Sequence, residues 1–272
     1  MKVRYSFSSR RTRHIKKISK QKEEYPEILK TVIAMSDIVL EILDARFPEE
    51  TRNREIEKLI KSKKKELILV ANKSDISEKE IPIEVLRTSC KERKGIADLR
   101  TRIKIEAKKI SKPVDERGKI TVGVIGYPNT GKSSLINILI GKSSAGTGHE
   151  AGFTKGIQKL KLTSEILLLD SPGVIPRRQY SSIDKKLISQ QTKLGGRSYE
   201  QVKEPELVVA RLVSEFPDVL EKFYKIKADG DSEILIGKLG RKKGLLKKGN
   251  KVNEDQTARV ILKDWQEGKI KF

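Results

Sequence analysis

Gly126-Tyr127-Pro128-Asn129-Thr130-Gly131-Lys132-Ser133 matches G-x-x-x-x-G-K-[ST] at every fixed position, directly after the apolar run Ile120 to Ile125 and before a helical run reaching Ile140. A strand that passes through such a loop into a helix turns its backbone N–H groups onto a phosphate at the helix N-terminus. Lys132 can reach the β and γ oxygens and the Ser133 hydroxyl can hold magnesium, while Thr130, Gly131 and Ser134 line the same cradle. Short β-rich runs alternate with helical ones from about Thr31, the pattern of a parallel sheet with crossover helices. Strands are expected at Ile38 to Leu43, Glu66 to Ala71, Ile83 to Thr88, Ile120 to Ile125, Ile157 to Leu162 and Glu165 to Leu169. Helices are expected near Asn53 to Ser62, Gly95 to Ile110 and Gly131 to Ile140. Ile96, Leu99, Ile103, Ala107 and Ile110 share one face of the second helix, which packs it on the sheet. The last two strands meet at Thr163-Ser164 as an antiparallel hairpin at one end of the sheet.

The remaining phosphate chemistry is expected downstream. Asp170-Ser171-Pro172-Gly173 ends a strand with the D-x-x-G pattern, in which Asp170 holds magnesium through water and the Gly173 N–H senses a γ-phosphate. D-x-x-G recurs by chance at many strand ends and gains force only from its place behind this loop. Thr154, in Gly152-Phe153-Thr154-Lys155-Gly156, is the candidate switch residue that reaches both magnesium and γ-phosphate; an ordinary loop threonine is the alternative. Lys132, Thr154, Gly173 and Asn129 are thus the candidate catalytic residues. Asn129 either helps hold a potassium ion that offsets transition-state charge or simply braces the loop.

A second motif reads the base. Asn72-Lys73-Ser74-Asp75 places N-K-x-D at the end of an apolar strand. Asp75 can accept from both the N1–H and the exocyclic amine of guanine, whereas adenine presents an acceptor that would leave the carboxylate unpaired, a mismatch able to discriminate by roughly 10⁴. GTP and GDP are therefore expected over ATP, with Asn72 bracing the loop and Lys73 covering the ring. Ser89-Cys90-Lys91 resembles the S-A-K loop whose backbone meets guanine O6, and Cys90 stands for a buried alanine. The base motif precedes the phosphate loop by about sixty residues, the reverse of ordinary small GTPases. Ligands of open α/β sheets sit at the carboxyl ends of the strands, so moving the termini preserves the site.

Lysine and arginine outnumber the acids by 59 to 37, a net charge of +22. A thermophile's solvated surface explains many Lys/Glu pairs but not a surplus of one sign, so a polyanion, nucleic acid before membrane, is the expected partner. Lys2 to Lys22 carries nine basic residues and no acid, and Gly237 to Lys251 carries seven among glycines. From Glu204 the chain reads as helices. Leu207, Val208, Leu212 and Val213, then Val219, Leu220, Phe223 and Tyr224, form their apolar faces. The last helix has Asn253 as its N-cap, Gln256 three residues on and Gly268 past its end. The one tryptophan, Trp265, lies on its apolar side and reads as a core anchor. The single cysteine excludes a disulfide framework, and no apolar run reaches the ~18 residues of a membrane span. A cytoplasmic monomer is expected.

The order N-K-S-D, S-C-K, G-Y-P-N-T-G-K-S, G-F-T-K-G, D-S-P-G resembles the YlqF/RbgA-type circularly permuted GTPases over nearly the whole chain. Asp44-Ala45-Arg46-Phe47-Pro48 resembles that family's D-A-R-x-P, and Gly240 to Leu246 with Lys247-Lys248-Gly249 resembles its C-terminal domain. The resemblance implies an α/β P-loop GTPase fold, a circularly permuted three-layer sandwich on a mostly parallel sheet, with a C-terminal all-helical domain. The expected division is a basic arm at 1–30, a GTPase domain at 31–180 and a helical RNA-binding domain at 181–272. It also implies GTP hydrolysis coupled to assembly of the large ribosomal subunit, with precursor particles and rRNA as partners. Bacterial members carry a histidine after Pro-Gly near the N-terminus. Here His14 lacks Pro-Gly, and His149 reads as a loop residue. Val174 follows Gly173 where Ras-type proteins place a water-orienting glutamine, so hydrolysis should be slow without an activating partner. A GTP-sensing RNA scaffold with negligible turnover is the rival reading, and a P-loop kinase or ATPase conflicts with Asp75.

Overall fold

The computed structural model describes residues 27–111, 113–115, 118–141, 157–175 and 184–272. Thr154, His14 and His149, and the basic run Lys2 to Lys22, lie outside the described residues.

Six strands form one sheet in the order β3-β2-β1-β4-β6-β5, with β1 Ile38–Asp44, β2 Glu66–Asn72, β3 Leu86–Arg87, β4 Ile120–Gly126, β5 Gln158–Lys161 and β6 Ile166–Asp170. All neighbours are parallel except the β5–β6 hairpin. Every residue of β1 is buried, as a central strand covered on both faces requires. Ile38, Leu40 and Ile42 point to one face, where helix α4 (Ile96–Lys108) supplies Ile96, Leu99, Ile103 and Ala107, and α5 (Lys132–Ile140) supplies Leu135, Ile136 and Leu139. Val39, Ile125 and Leu169 point to the other, against Leu29, Val32 and Ile33 of a helix at 27–34, here α1, and Ile60 of α3 (Arg54–Ser62). The result is helix, sheet, helix. Leu29 thus packs in this core, although it falls within the span expected for the basic arm.

The run at Ile83 to Thr88 is shorter than expected. Val85 N–H donates to the Pro82 carbonyl at 2.9 Å, closing a turn that leaves Ile83 fully exposed and only Leu86–Arg87 paired with β2. β5 exposes Gln158, Lys159 and Lys161, the charged blunting that protects an edge strand from further pairing.

Beyond the sheet come α6 (Lys185–Lys193), a 3-10 turn (Tyr199–Gln201), α7 (Pro205–Glu215), α8 (Pro217–Tyr224), α9 (Ser232–Lys242) and α10 (Glu254–Gln266), which follow a short helix α2 (Pro48–Thr51) and α3 in chain order. Pro205 and Pro217 open α7 and α8, where a missing N–H costs nothing. Asn253 caps α10 by accepting from the Gln256 N–H. Val208, Leu212, Val213, Leu220 and Tyr224 are buried as read, while Leu207 and Phe223 are exposed. Each stands about 100° around its helix from the stripe next door. The glycine-rich basic run does not stay helical. α9 ends at Lys242, and the chain then forms a small hairpin of β7 (Leu246–Lys247) and β8 (Lys251–Val252), turned by Gly249 and Asn250 at positive φ. Trp265 is buried against Phe47, Phe216 and Phe272, with ring centroids 5.1 to 6.1 Å apart. Because Phe47 follows β1, this aromatic cluster fastens the helices to the carboxyl end of the sheet.

Candidate nucleotide-binding site

Five adjacent parallel strands bring their carboxyl ends to one edge of the sheet. β3 leads to Ser89 and Cys90, β2 to Asn72 and Asp75, β1 to Asp44, β4 to the phosphate loop, and β6 ends at Asp170. Register aligns them: Asp44 lies opposite Asn72, Ile42 opposite Gly126, and Val124 opposite Asp170.

The two motifs that the chain presents in inverted order touch. Asn72 Nδ2 donates to the Thr130 carbonyl of the phosphate loop at 2.9 Å, and its Oδ1 accepts from the Cys90 N–H at 3.3 Å. One buried amide therefore braces three loops. Ser89 Oγ donates to Asp75 Oδ1 at 2.7 Å, orienting the carboxylate that would read guanine. Cys90 is half-buried, and burial pushes its thiol up to about 11, so it behaves as a small apolar filler. Lys91 is exposed beside it.

In the phosphate loop, Lys132 Nζ donates to the Gly126 and Tyr127 carbonyls at 3.1 and 2.9 Å. Burial pushes its ammonium down to about 8, with Asp170 pulling the other way. Burial likewise raises Asp170, opposed by Lys132 and the Ser171 N–H. Asp170 Oδ1 is buried with no hydrogen-bond partner. An orphaned carboxylate oxygen beside a helix N-terminus that offers the Ser133 hydroxyl fits Mg²⁺, which takes one or two protein oxygens and fills its shell with phosphate and water. Gly173 runs so close to the loop that a Cβ there would meet Pro128 Cα at 2.7 Å and Lys132 Nζ at 2.9 Å. The backbone at Gly173 thus lies against the phosphate loop. Val174 is partly buried against the core under the sheet and its N–H donates to the Gly126 carbonyl; its apolar side chain can orient no water.

Asn129 is engaged by the helical region: its Nδ2 donates to the Gly195 carbonyl at 2.7 Å. Gly195 sits at φ +81, and a Cβ there would press on Asn129 Cβ at 3.1 Å. The bond ties the phosphate loop to the chain that follows α6. Gly195 was not legible as a site residue, since a Gly-Gly pair after a helix reads only as a stop signal. Asp44 was legible only through the family motif. Its carboxylate is buried between Arg46, bound through Nε at 3.0 Å and a terminal nitrogen at 2.8 Å, and Lys73 Nζ at 2.8 Å. Burial alone would raise its pKa, but the two cations outweigh that and hold it well below the usual carboxylate range. Arg46 also donates to the Trp265 carbonyl at 2.8 Å.

Residues 121–236 match the model of the family described as 50S ribosome-binding GTPase. An uncharacterised GTP-binding protein of Methanocaldococcus jannaschii is 38% identical over 90% of this chain and 66% of its own length. Nucleolar GTP-binding protein 2 of Pneumocystis carinii is 34% identical over 88% of the chain and 51% of its own length. The crystal structure of GNP-bound YlqF from T. maritima superposes with a TM-score of 0.62 at 22% identity, covering 91% of this chain and 95% of that one. The chain has the circularly permuted GTPase fold of YlqF. Its P-loop fold and permuted strand order are those of that structure. It spans about two thirds of the archaeal relative and about half of the fungal one. No helix among the described residues is long and apolar enough to cross a membrane.

Proposed function

We propose that the protein hydrolyses GTP to GDP and phosphate and acts, through contacts with rRNA, as an assembly factor for the large ribosomal subunit. The observation that carries the nucleotide half is the Asn72 to Thr130 bond, which joins the base-reading and phosphate-binding loops around one site. Asp75, oriented by Ser89, accepts from the guanine edge. Lys73 lies over the ring while Asp44 anchors its ammonium. The loop N–H groups, with Thr130, Gly131 and Ser134, line the phosphates. Lys132 leaves its two carbonyl partners to neutralise the β and γ oxygens. Ser133 and Asp170, with Thr154, would hold Mg²⁺, which supplies charge neutralisation on those oxygens. The Gly173 N–H reports the γ-phosphate. The Val174 side chain has no polar atom to position water, which supports slow turnover and an activating group from a partner.

The ribosomal half is supported by the family description, by the nucleolar relatives and by the surplus of basic residues. The hydrolysis rate should rise by a factor of about 10³ in the presence of large-subunit precursors, the scale known for activating groups supplied in trans. A rate unaffected by such particles favours the scaffold reading, in which bound GTP only sets RNA affinity. Turnover in potassium against sodium tests a monovalent ion at Asn129, and equal rates remove it.

A further inference from the structure

Helix α3 has two unlike faces. Ile56, Leu59 and Ile60 turn inward to the core under the sheet. On the opposite side Arg54, Lys58 and Lys61 recur at intervals of four and three residues, which at about 100° per residue puts them within a sector of roughly 60°, and Lys64 and Lys65 follow in the turn just past the helix end. With Lys64, Glu57 and Leu67 they line a groove of about 440 Å³ where the end of α3 turns into β2. The only acid in the groove is already engaged: Glu57 accepts from Arg52 at 2.8 Å through both oxygens. Arg54 pairs with Glu49. Lys58, Lys61, Lys64 and Lys65 make no salt bridge among the described residues, and Lys58, Lys61 and Lys64 are exposed.

Glu57, four residues before Lys61, is held by Arg52 and so does not offset the row as the i,i+4 acids of a merely solvated face do. Here the spacing places like charges beside one another, about 5–6 Å apart along the stripe, which destabilises the free helix and is offset when an anion with repeated charges lies along it. Leu67 and the lysine stems give the groove an apolar floor, suited to sugar and base surface beneath a row of phosphates. α3 is the crossover from β1 to β2, so its end lies at the start of β2. That point is about 20 Å along the strand from Asn72 and the nucleotide.

We propose that the outer face of α3 and the turn after it are a second RNA-binding surface, in which Lys58, Lys61, Lys64 and Lys65 grip a phosphodiester backbone at the end of the sheet remote from GTP. The proposal rests on the reading that the protein works on RNA, and adds a contact separate from the basic hairpin β7–β8. A protein gripping RNA at both ends of its sheet spans two RNA segments and fixes their separation.

The test is binding of a fluorescein-labelled RNA hairpin as a function of sodium chloride, with GDP affinity and melting temperature as controls. The triple variant K58Q/K61Q/K65Q should bind at least about tenfold more weakly at moderate salt, with the log–log salt slope reduced by about 2 to 3. GDP affinity should not change, because none of the three residues touches the nucleotide site. K61Q alone should lower the slope by about 1, which guards against a fold defect in the triple variant. K247Q/K248Q/K251Q combined with it should reduce the slope further. A triple variant that binds the hairpin with wild-type affinity and slope overturns the proposal while leaving the assembly-factor reading intact. Loss of binding to phosphatidylserine vesicles but not to RNA overturns it as well. If the wild-type protein itself ignores RNA, both readings fall together.

Discussion

Two buried ionisable side chains make the protein sensitive to pH, one through ligand binding and one through stability. Lys132 is pushed down to about 8 by burial beside its own loop carbonyls. In the unliganded protein it loses its charge as pH rises through 8, and bound phosphates restore it. Nucleotide affinity should therefore fall above about pH 8, with up to one proton taken up on binding; calorimetry in buffers of different ionisation enthalpy reads that proton directly. Glu41 sits in the middle of β1, accepting from the Asn53 N–H through one oxygen while the other is buried and unpartnered, and burial pushes it up to about 8. Its folded pKa lies above the unfolded 4.5, so the stability it lends is full below about 4.5 and fades as pH climbs to 8. Replacing Glu41 with Gln should flatten the urea-unfolding free energy between pH 5 and 8. A slope equal to wild type would show that Glu41 ionises normally.

At the scale of elements, the turn after β1 ties the guanine loop to the last helix. Asp44 satisfies Lys73 on one side and Arg46 on the other, and Arg46 reaches the Trp265 carbonyl at the end of α10. Removing one partner of a buried ion pair costs about 3–5 kcal/mol, far more than an exposed pair contributes. Arg46→Ala should lose stability on that scale in denaturant titrations and also weaken GDP binding, because Lys73 would share a carboxylate left partly uncompensated. A change below about 1 kcal/mol would mean that α10 is held by the Phe47, Phe216, Trp265 and Phe272 rings alone.

At the scale of the whole molecule, the helical region meets the nucleotide site at three places. Gly195 accepts from Asn129 of the phosphate loop, and Arg46 donates to α10. Phe272 adds a backbone bond to Ile76 beside the base-reading loop at 3.0 Å. Nucleotide state is therefore expected to reach the helices that carry the basic hairpin. Hydrogen exchange at residues 192–197 should differ between a GTP analogue and GDP, and Asn129→Ala should remove the difference. Identical protection in both states in the wild-type protein would refute the coupling.

Much of this was written in the chain. A phosphate loop needs its glycines and lysine at fixed spacing, a base-reading loop needs its carboxylate behind a strand, and buried strands such as β1 and β4 must be continuous apolar runs; each is a local requirement that local sequence records. Asn253 capping α10 and Trp265 as an anchor are local in the same sense. What tertiary structure alone decided are the pairings across distance. Asn72 with Thr130, Asn129 with Gly195 and Arg46 with the Trp265 carbonyl join residues 58, 66 and 219 positions apart. The partner in each is a backbone carbonyl, a group every residue carries and no sequence pattern can mark. The exposed Ile83 and Leu207 fall short of their apolar promise for a related reason. A hydrophobic side chain states that it gains from burial, and only the folded chain determines whether a turn or a helix phase leaves anything there to bury it.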